Sequence, residues 1–216
     1  LADIEARKIF EVPLKQLLLH LSTPEVGSSI KVGIPNGPKG VGTIIKINST
    51  SVSLEVDFDY SNKDSALGLS FIVGVPRSRM VRRLVYNLST LGCRHLYFVS
   101  TEKGEKSYLN SSALLPEALD EYIYEGAEQA GITSLMTVSV SSLDVALKRI
   151  SEIERNRPSG LQKVVLQPYS EHTLSSYSDR ASVDIQNNEY IVGVGPESGW
   201  SNAELDKFVQ ADFSKV

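Results

Sequence analysis

Hydrophobic and polar residues alternate along the first third of the chain. Ile30-Lys31-Val32-Gly33-Ile34 and Val52-Ser53-Leu54-Glu55-Val56-Asp57-Phe58 do so strictly, and Thr43-Ile44-Ile45-Lys46-Ile47 does so more loosely. A period of two marks half-buried strands. Pro35-Asn36-Gly37-Pro38-Lys39-Gly40 and Asn48-Ser49-Thr50 separate the runs and supply turn residues. Short strands with tight turns predict a small antiparallel barrel or sheet. Ahead of them, residues 7–21 place Phe10, Leu14, Leu17, Leu18 and Leu21 near helical spacing, which predicts a helix ending before Pro24. The polar run over residues 60–67 reads as a linker, so the first domain is expected to span residues 1–66.

Beyond residue 68 the period switches back and forth. Apolar runs at 70–75, 95–99, 135–140, 163–167 and 190–194 predict strands, and amphipathic stretches at 78–91, 112–130, 141–150 and 201–210 predict helices. Strands interleaved with helices imply a mostly parallel sheet covered on its faces, forming a second domain over residues 67–216.

The last strand and helix are joined by Gly195-Pro196-Glu197-Ser198-Gly199-Trp200-Ser201. Glycines on either side of Pro196-Glu197 let the backbone turn sharply and come close to a ligand. Ser201 with Glu204 three residues later is a capping box that starts the helix. A turn at the carboxyl end of a parallel strand is where open α/β sheets bind small molecules, although a purely structural turn fits these residues equally well.

The helix at 78–91 carries Arg79, Arg82 and Arg83 on one face, with Met80, Leu84, Leu88 and Leu91 pointing the other way. Arginines at a helix N-terminus oppose the helix dipole, so a bound phosphate would explain them. A solvated face with acidic neighbours is the alternative. The loop Ser100-Thr101-Glu102-Lys103-Gly104-Glu105-Lys106-Ser107-Tyr108 follows another strand on the same rim and offers two lysines and a ring, parts suited to a nucleotide, although taken alone it reads better as a plain hydrophilic loop. Leu166-Gln167-Pro168 ends a third strand on that rim and makes a candidate pocket wall. In Glu125-Gly126-Ala127-Glu128-Gln129-Ala130 the mid-helix glycine predicts close packing against a neighbour.

Composition narrows the functions. The chain has 216 residues, 41% hydrophobic and 22% charged, with a formal net charge of −4, which argues against a protein that coats nucleic acid nonspecifically. No apolar run approaches the ~20 residues of a membrane helix. One cysteine, Cys93, excludes an intrachain disulfide and is compatible with a reducing compartment. The expected location is therefore the cytoplasm, with a eukaryotic organelle as the alternative. Three scattered histidines give no metal-ligand spacing. Gly193-x-Gly195-x-x-x-Gly199 is not a dinucleotide fingerprint.

Several blocks, taken in order, resemble one family. Val194-Gly195-Pro196-Glu197-Ser198-Gly199-Trp200, followed by Glu204, resembles the GPEGG(F/W)xxxE motif of the RsmE-type ribosomal RNA uridine-N3 methyltransferases, members of the SPOUT (α/β-knot) superfamily. Val32-Gly33-Ile34-Pro35-Asn36-Gly37-Pro38, Pro76-Arg77 with Leu91-Gly92-Cys93, Glu105-Lys106-Ser107-Tyr108 and the Glu125–Ala130 block are similar to further family segments. The resemblance implies a SPOUT-type α/β-knot domain with a mostly parallel sheet, preceded by a small PUA-like β-barrel domain. It also implies a homodimer, S-adenosylmethionine as methyl donor and small-subunit ribosomal RNA as substrate.

By motif position, Gly195, Pro196, Glu197 and Gly199 would line the cofactor pocket, with Leu166, Gln167 and Pro168 opposite. Arg77, Arg79, Arg82, Arg83, Lys103 and Lys106 would face RNA. Lys106 and Glu197 are the candidate catalytic groups. Two further readings stay open: an inactive RNA-binding protein of the same fold, and an α/β enzyme for a phosphorylated metabolite.

The chain departs from the family pattern at Ser198, where the motif has a second glycine, and at Gly131-Ile132, which replace polar residues. The family continues past the position of Val216 with an LGxxILRxETA segment that completes the knot and the pocket floor. A segment before Leu1, which is not a start methionine, is also expected.

Overall fold

The computed structural model describes residues 7–155, 161–181 and 188–216, so residues 1–6 of the expected first domain lie outside the described residues. The chain divides into two compact units, one of Leu1–Ser65 with Gly131–Ser134 and the other of Ala66–Ala130 with Leu135–Val216.

The first unit is a four-stranded antiparallel sheet of order β1-β4-β3-β2, built from β1 (Arg7–Pro13), β2 (Ser29–Gly33), β3 (Pro38–Ile47) and β4 (Ser51–Lys63). The alternation of the sequence is realised directly: Val52, Leu54, Val56 and Phe58 point to one face and bury with Ile44 and Leu17. Two expectations are overturned here. Residues 7–21 are not one helix, because Arg7–Pro13 pairs along β4 from Arg7↔Asp57 to Pro13↔Ser51, leaving only the short α1 (Leu14–Leu17). Long-range strand pairing outweighs a weak local helical period. The polar stretch at 60–67 is not wholly linker, since β4 runs on to Lys63, which pairs with Pro38.

Asp64 follows that strand and fastens the Gly131–Ser134 segment to the unit. Its carboxylate accepts from the Thr133 backbone N–H at 2.7 Å and pairs with Lys39 at 2.8 Å. Burial alone would push its pKa up. The bonds from Lys39 and Thr133 outweigh burial and hold it below the usual carboxylate value. A depressed pKa stabilises the fold above the unfolded value of about 3.9, and that stabilisation is lost as pH falls through the folded one. Asp64→Asn is therefore expected to flatten the acid side of the unit's stability curve below about pH 5 while lowering neutral stability by roughly 1 kcal/mol. Denaturant melts at pH 7 and pH 3 check this, and an unchanged acid slope would contradict it.

The second unit holds a six-stranded sheet of order β10-β8-β9-β5-β6-β7, and every strand pair in it is parallel. Its strands are β5 (Leu69–Gly74), β6 (His95–Ser100), β7 (Thr137–Ser142), β8 (Leu161–Val165), β9 (Glu189–Val194) and β10 (Ser214–Lys215). The helices are α2 (Ser78–Thr90), α3 (Pro116–Ala130), α4 (Leu143–Arg155), α5 (Leu174–Ala181) and α6 (Asn202–Gln210). Two apolar clusters form the core. One gathers Ile72, Val165 and Ile191 with α4 and α6, and the other gathers Val73, Leu96 and Phe98 with α2 and α3. The alternation of strand and helix predicts this mostly parallel α/β architecture; α5 and the short β10 carry no comparable signal.

Two local expectations are refined. The helix expected at 112–130 begins at Pro116, because Leu115 before the proline is extended (ψ 143°) and a 3-10 turn occupies Ser112–Leu114. The inward face of α2 is Val81, Val85 and Leu88, whereas Met80 and Leu91 are exposed. The helix is packed on two sides, and α3 takes the second. A Cβ on Gly126 would lie 2.5 Å from the Tyr86 carbonyl oxygen, so the glycine does serve close packing. Ser89 Oγ donates to the Ile123 carbonyl oxygen across the same contact, at 2.7 Å. Gly131, with φ +62°, ends α3 in the left-handed conformation that a side chain disfavours.

Candidate active site

Because all six strands run the same way, the segments leaving β5, β6, β7, β8 and β9 emerge on one rim. The Gly195–Ser201 turn leaves β9 beside the end of β5, which pairs with it up to Val73↔Val194. A Cβ on Gly74 would lie 2.6 Å from Pro196 Cδ and 2.9 Å from Pro196 N, so the glycine ending β5 lets the turn settle against the strand. Gly195 is equally tight, since its Cβ would lie 3.2 Å from Gly199 Cα and from Trp200 N. Gly199 has φ +71° with open space where a side chain would be. The turn thus leaves backbone bare at Gly199, beside the exposed side chains of Glu197 and Ser198, and leads into an aromatic cluster. Trp200 meets Phe208 edge-on at 4.9 Å, and Phe208 meets Phe213 at 5.0 Å. Phe208 also lies over Gly193, where a Cβ would come within 3.1 Å of its ring.

Leu166 and Gln167 continue β8 alongside, with the Leu166 N–H donating to the Gly193 carbonyl oxygen at 2.8 Å and the Gln167 N–H to the Val216 carbonyl oxygen at 2.7 Å. Both side chains are half-buried and Pro168 is exposed. The fold therefore brings Leu166-Gln167-Pro168 and the glycine turn onto neighbouring strands of one rim.

The loop after β6 is fastened to the same turn. Glu204 is 3% exposed and uses both carboxylate oxygens. One accepts from the Ser201 N–H at 2.8 Å, completing the capping box with Ser201 Oγ and the Glu204 N–H. The other accepts from the Glu102 N–H at 2.8 Å. Lys103 Nζ donates to the Trp200 carbonyl oxygen at 2.9 Å, and Ser198 Oγ donates to the Lys103 carbonyl oxygen at 3.0 Å. The capping box is legible in the sequence, but the second use of Glu204 and the hydroxyl of Ser198 are not, since both depend on which loops share the rim.

Next to this junction is a cleft of about 520 Å³ whose walls include Val75, Ser100, Lys106, Asn110, Leu143 and Lys207. Glu204 borders it as well. Lys106 opens a 3-10 turn (Lys106–Asn110) and is exposed on the cleft wall. Lys207 pairs with Asp144 at 2.9 Å, and this bond, with Glu102 and Glu204 nearby, raises its ammonium above the usual lysine value. A second hollow of about 410 Å³, formed by residues whose pattern predicts no site, is bordered by Gln162, His172, Tyr177 and Lys215.

The remaining basic residues divide. Arg82 is engaged by Glu125, with Nη2 at 3.1 and 3.0 Å from the two carboxylate oxygens, and its guanidinium lies 5.7 Å from the Tyr122 ring centroid. For this arginine the acidic-neighbour alternative holds. Arg77 Nε is 3.5 Å from a carboxylate oxygen of Glu197, joining the start of α2 to the glycine turn through two exposed side chains. Arg79 and Arg83 are exposed, and among the described residues neither has an ion-pair partner. Glu197 thus lies toward α2 with Arg77, and Lys106 lies on the cleft.

The RNA methyltransferase domain family matches residues 63–216. A ribosomal RNA small subunit methyltransferase E from Treponema pallidum is 31% identical over 193 residues, covering 88% of this chain and 69% of the relative. The chain belongs to the RsmE-type RNA methyltransferase family. A second RsmE-type relative, from Borreliella burgdorferi, is 29% identical over 68% of this chain and 57% of its own length. Among solved structures, the RsmE-type enzyme of Neisseria gonorrhoeae bound to S-adenosylmethionine superposes with a TM-score of 0.75 over 99% of this chain and 84% of that one, at 17% identity. A putative methyltransferase of Legionella pneumophila, also with S-adenosylmethionine, gives a TM-score of 0.72 over 99% and 84% of the two chains, at 14% identity. At such identities the likeness is one of fold.

Proposed function

We propose that this chain is an S-adenosylmethionine-dependent methyltransferase that modifies N3 of a uridine in small-subunit ribosomal RNA. The observation that carries the reading is the glycine turn Gly195–Gly199 at the carboxyl rim, seated against Gly74, open at Gly199 and flanked by Leu166–Pro168 after the adjoining strand. Its open side suits a ligand with many polar edges, because main-chain groups can approach it without a side chain between. Gly195, Pro196, Glu197 and Gly199 would hold the cofactor from one side and Leu166, Gln167 and Pro168 from the other. The names of the Treponema and Borreliella relatives and the cofactor bound to the Neisseria enzyme support the same assignment.

When bound, S-adenosylmethionine supplies an electrophilic methyl group. The protein's part is to align the acceptor nitrogen and to ease loss of its proton. Lys106 stands on the cleft wall as a cation able to stabilise the uridine anion. Arg79 and Arg83 offer free guanidinium forks to RNA phosphates. Arg77, Arg82 and Lys103 contribute only on exchanging Glu197, Glu125 and the Trp200 carbonyl for RNA. We read the N-terminal sheet as a PUA-like RNA-binding barrel and the active form as a homodimer. A mass near twice that of the chain in light scattering is the expected result for the latter.

The function is tested by incubating the protein with methyl-labelled S-adenosylmethionine and small-subunit ribosomal RNA. Label recovered as N3-methyluridine is the expected product, and saturable cofactor binding with no transfer to that RNA would instead favour the inactive RNA-binding reading. Arg79→Ala with Arg83→Ala is expected to weaken RNA binding regardless of sequence. The salt slope should fall by roughly 0.7–0.9 for each phosphate that is no longer neutralised. An unchanged slope would take these arginines out of the interface.

A further inference from the structure

We infer that Ser198, the residue at which this chain departs from the glycine-rich motif, is a positioning residue that clasps the Lys106-bearing loop to the cofactor turn. The inference rests on the function proposed above but can fail separately from it.

Three tethers join the two segments, and each comes from a different group. The Glu102 N–H donates to the Glu204 carboxylate, Lys103 Nζ donates to the Trp200 carbonyl oxygen, and Ser198 Oγ donates back to the Lys103 carbonyl oxygen. The last two form a reciprocal pair, in which the loop grips the turn through its side chain and the turn grips the loop through Ser198. A glycine at 198 would leave the Lys103 carbonyl without this donor and the loop held only from its Glu102 side and by a flexible lysine stem. Lys106, three residues on, enters the cleft wall directly after this clasp. Its position relative to the turn therefore depends on how firmly residues 101–105 are held.

A clasp of this kind couples two sites. A ligand that orders the Gly195–Gly199 turn also orders the loop, and by linkage a nucleotide that holds the loop favours the same state of the turn. A glycine in the place of Ser198, as in the motif this turn resembles, would supply no such bond.

Amide hydrogen exchange of the unliganded protein tests the clasp without reference to catalysis. Ser198→Ala is expected to speed exchange across residues 101–106 about fivefold, the size expected for one neutral hydrogen bond. Ser198→Thr, which keeps the hydroxyl, should restore the wild-type rate. Unchanged exchange in Ser198→Ala, or fast exchange in both variants, would overturn the inference. In a second arm, S-adenosylhomocysteine is added. It should slow exchange at 195–200 in both wild type and Ser198→Ala, and slow it at 101–106 fully in the wild type alone. Equal slowing at 101–106 in the two proteins would overturn the coupling. Absence of slowing at 195–200 in either protein would count against the cofactor assignment, while the unliganded comparison would still decide the clasp.

Discussion

Glu204→Ala should lower the stability of the second unit by about 2–4 kcal/mol and reduce methyl transfer more than about a hundredfold. Glu204 is 3% exposed. Its removal strands two backbone donors, the Ser201 N–H and the Glu102 N–H, each bonded at 2.8 Å. Leaving the buried Ser201 donor unsatisfied costs about 1–3 kcal/mol, and loss of the bond to the more exposed Glu102 N–H adds about 1 kcal/mol. The larger effect on activity follows from geometry: one side chain holds both the start of α6 and Glu102 in the loop that leads to Lys106. Loss of either placement moves acceptor and donor apart, and rates fall steeply with such misalignment. Glu204→Gln should be milder, since it keeps one acceptor oxygen. Thermal melts with labelled-methyl transfer check the ranking; a fully active Glu204→Ala would show that the tether is irrelevant to chemistry.

The second large effect is expected at a residue with no side chain. In Gly74→Ala the new methyl would lie 2.6 Å from Pro196 Cδ and 2.9 Å from Pro196 N. Neither neighbour is the free end of a flexible chain, so the turn must lift from the end of β5. Overpacking of this kind costs roughly 1–3 kcal/mol, leaving the unit folded at room temperature. Cofactor affinity should fall at least tenfold, because the bare backbone is displaced while every polar group of the turn remains. Calorimetry on the folded variant measures this. Wild-type affinity would mean that the turn's seat against β5 does not shape the pocket.

Much of the second unit is legible in the sequence because its signals are local and mutually consistent. Met80, Leu84, Leu88 and Leu91 recur at helical spacing and announce a helix, though its inward face is set by Val81, Val85 and Leu88. The strands are short apolar runs, and Ser201 with Glu204 marks a helix start without reference to anything distant. The first strand is illegible for the opposite reason. Phe10, Leu14 and Leu17 fit a helical period, and only the partner strand Ser51–Asp57 makes residues 7–13 extended. The site divides in the same way. Gly195 and Gly199 announce a turn, and parallel strands put Leu166–Pro168 and the 100–108 loop on its rim. Arg82 has the spacing of a phosphate ligand, yet α3 brings Glu125 to within 3.0 Å of it. Lys103 has the look of a free cation, yet its loop reaches Trp200. Which charges are already engaged is a property of tertiary neighbours that the spacing of charges along one helix does not carry.

The central claim is that the Gly195–Gly199 turn, seated on Gly74, holds a methyl donor. Titration calorimetry of the wild-type protein with S-adenosylmethionine tests it most directly. One saturable micromolar site per chain, lost or at least tenfold weaker in Gly74→Ala, is the predicted result. No detectable binding to the wild-type protein at millimolar cofactor, with the protein shown to be folded, would contradict it.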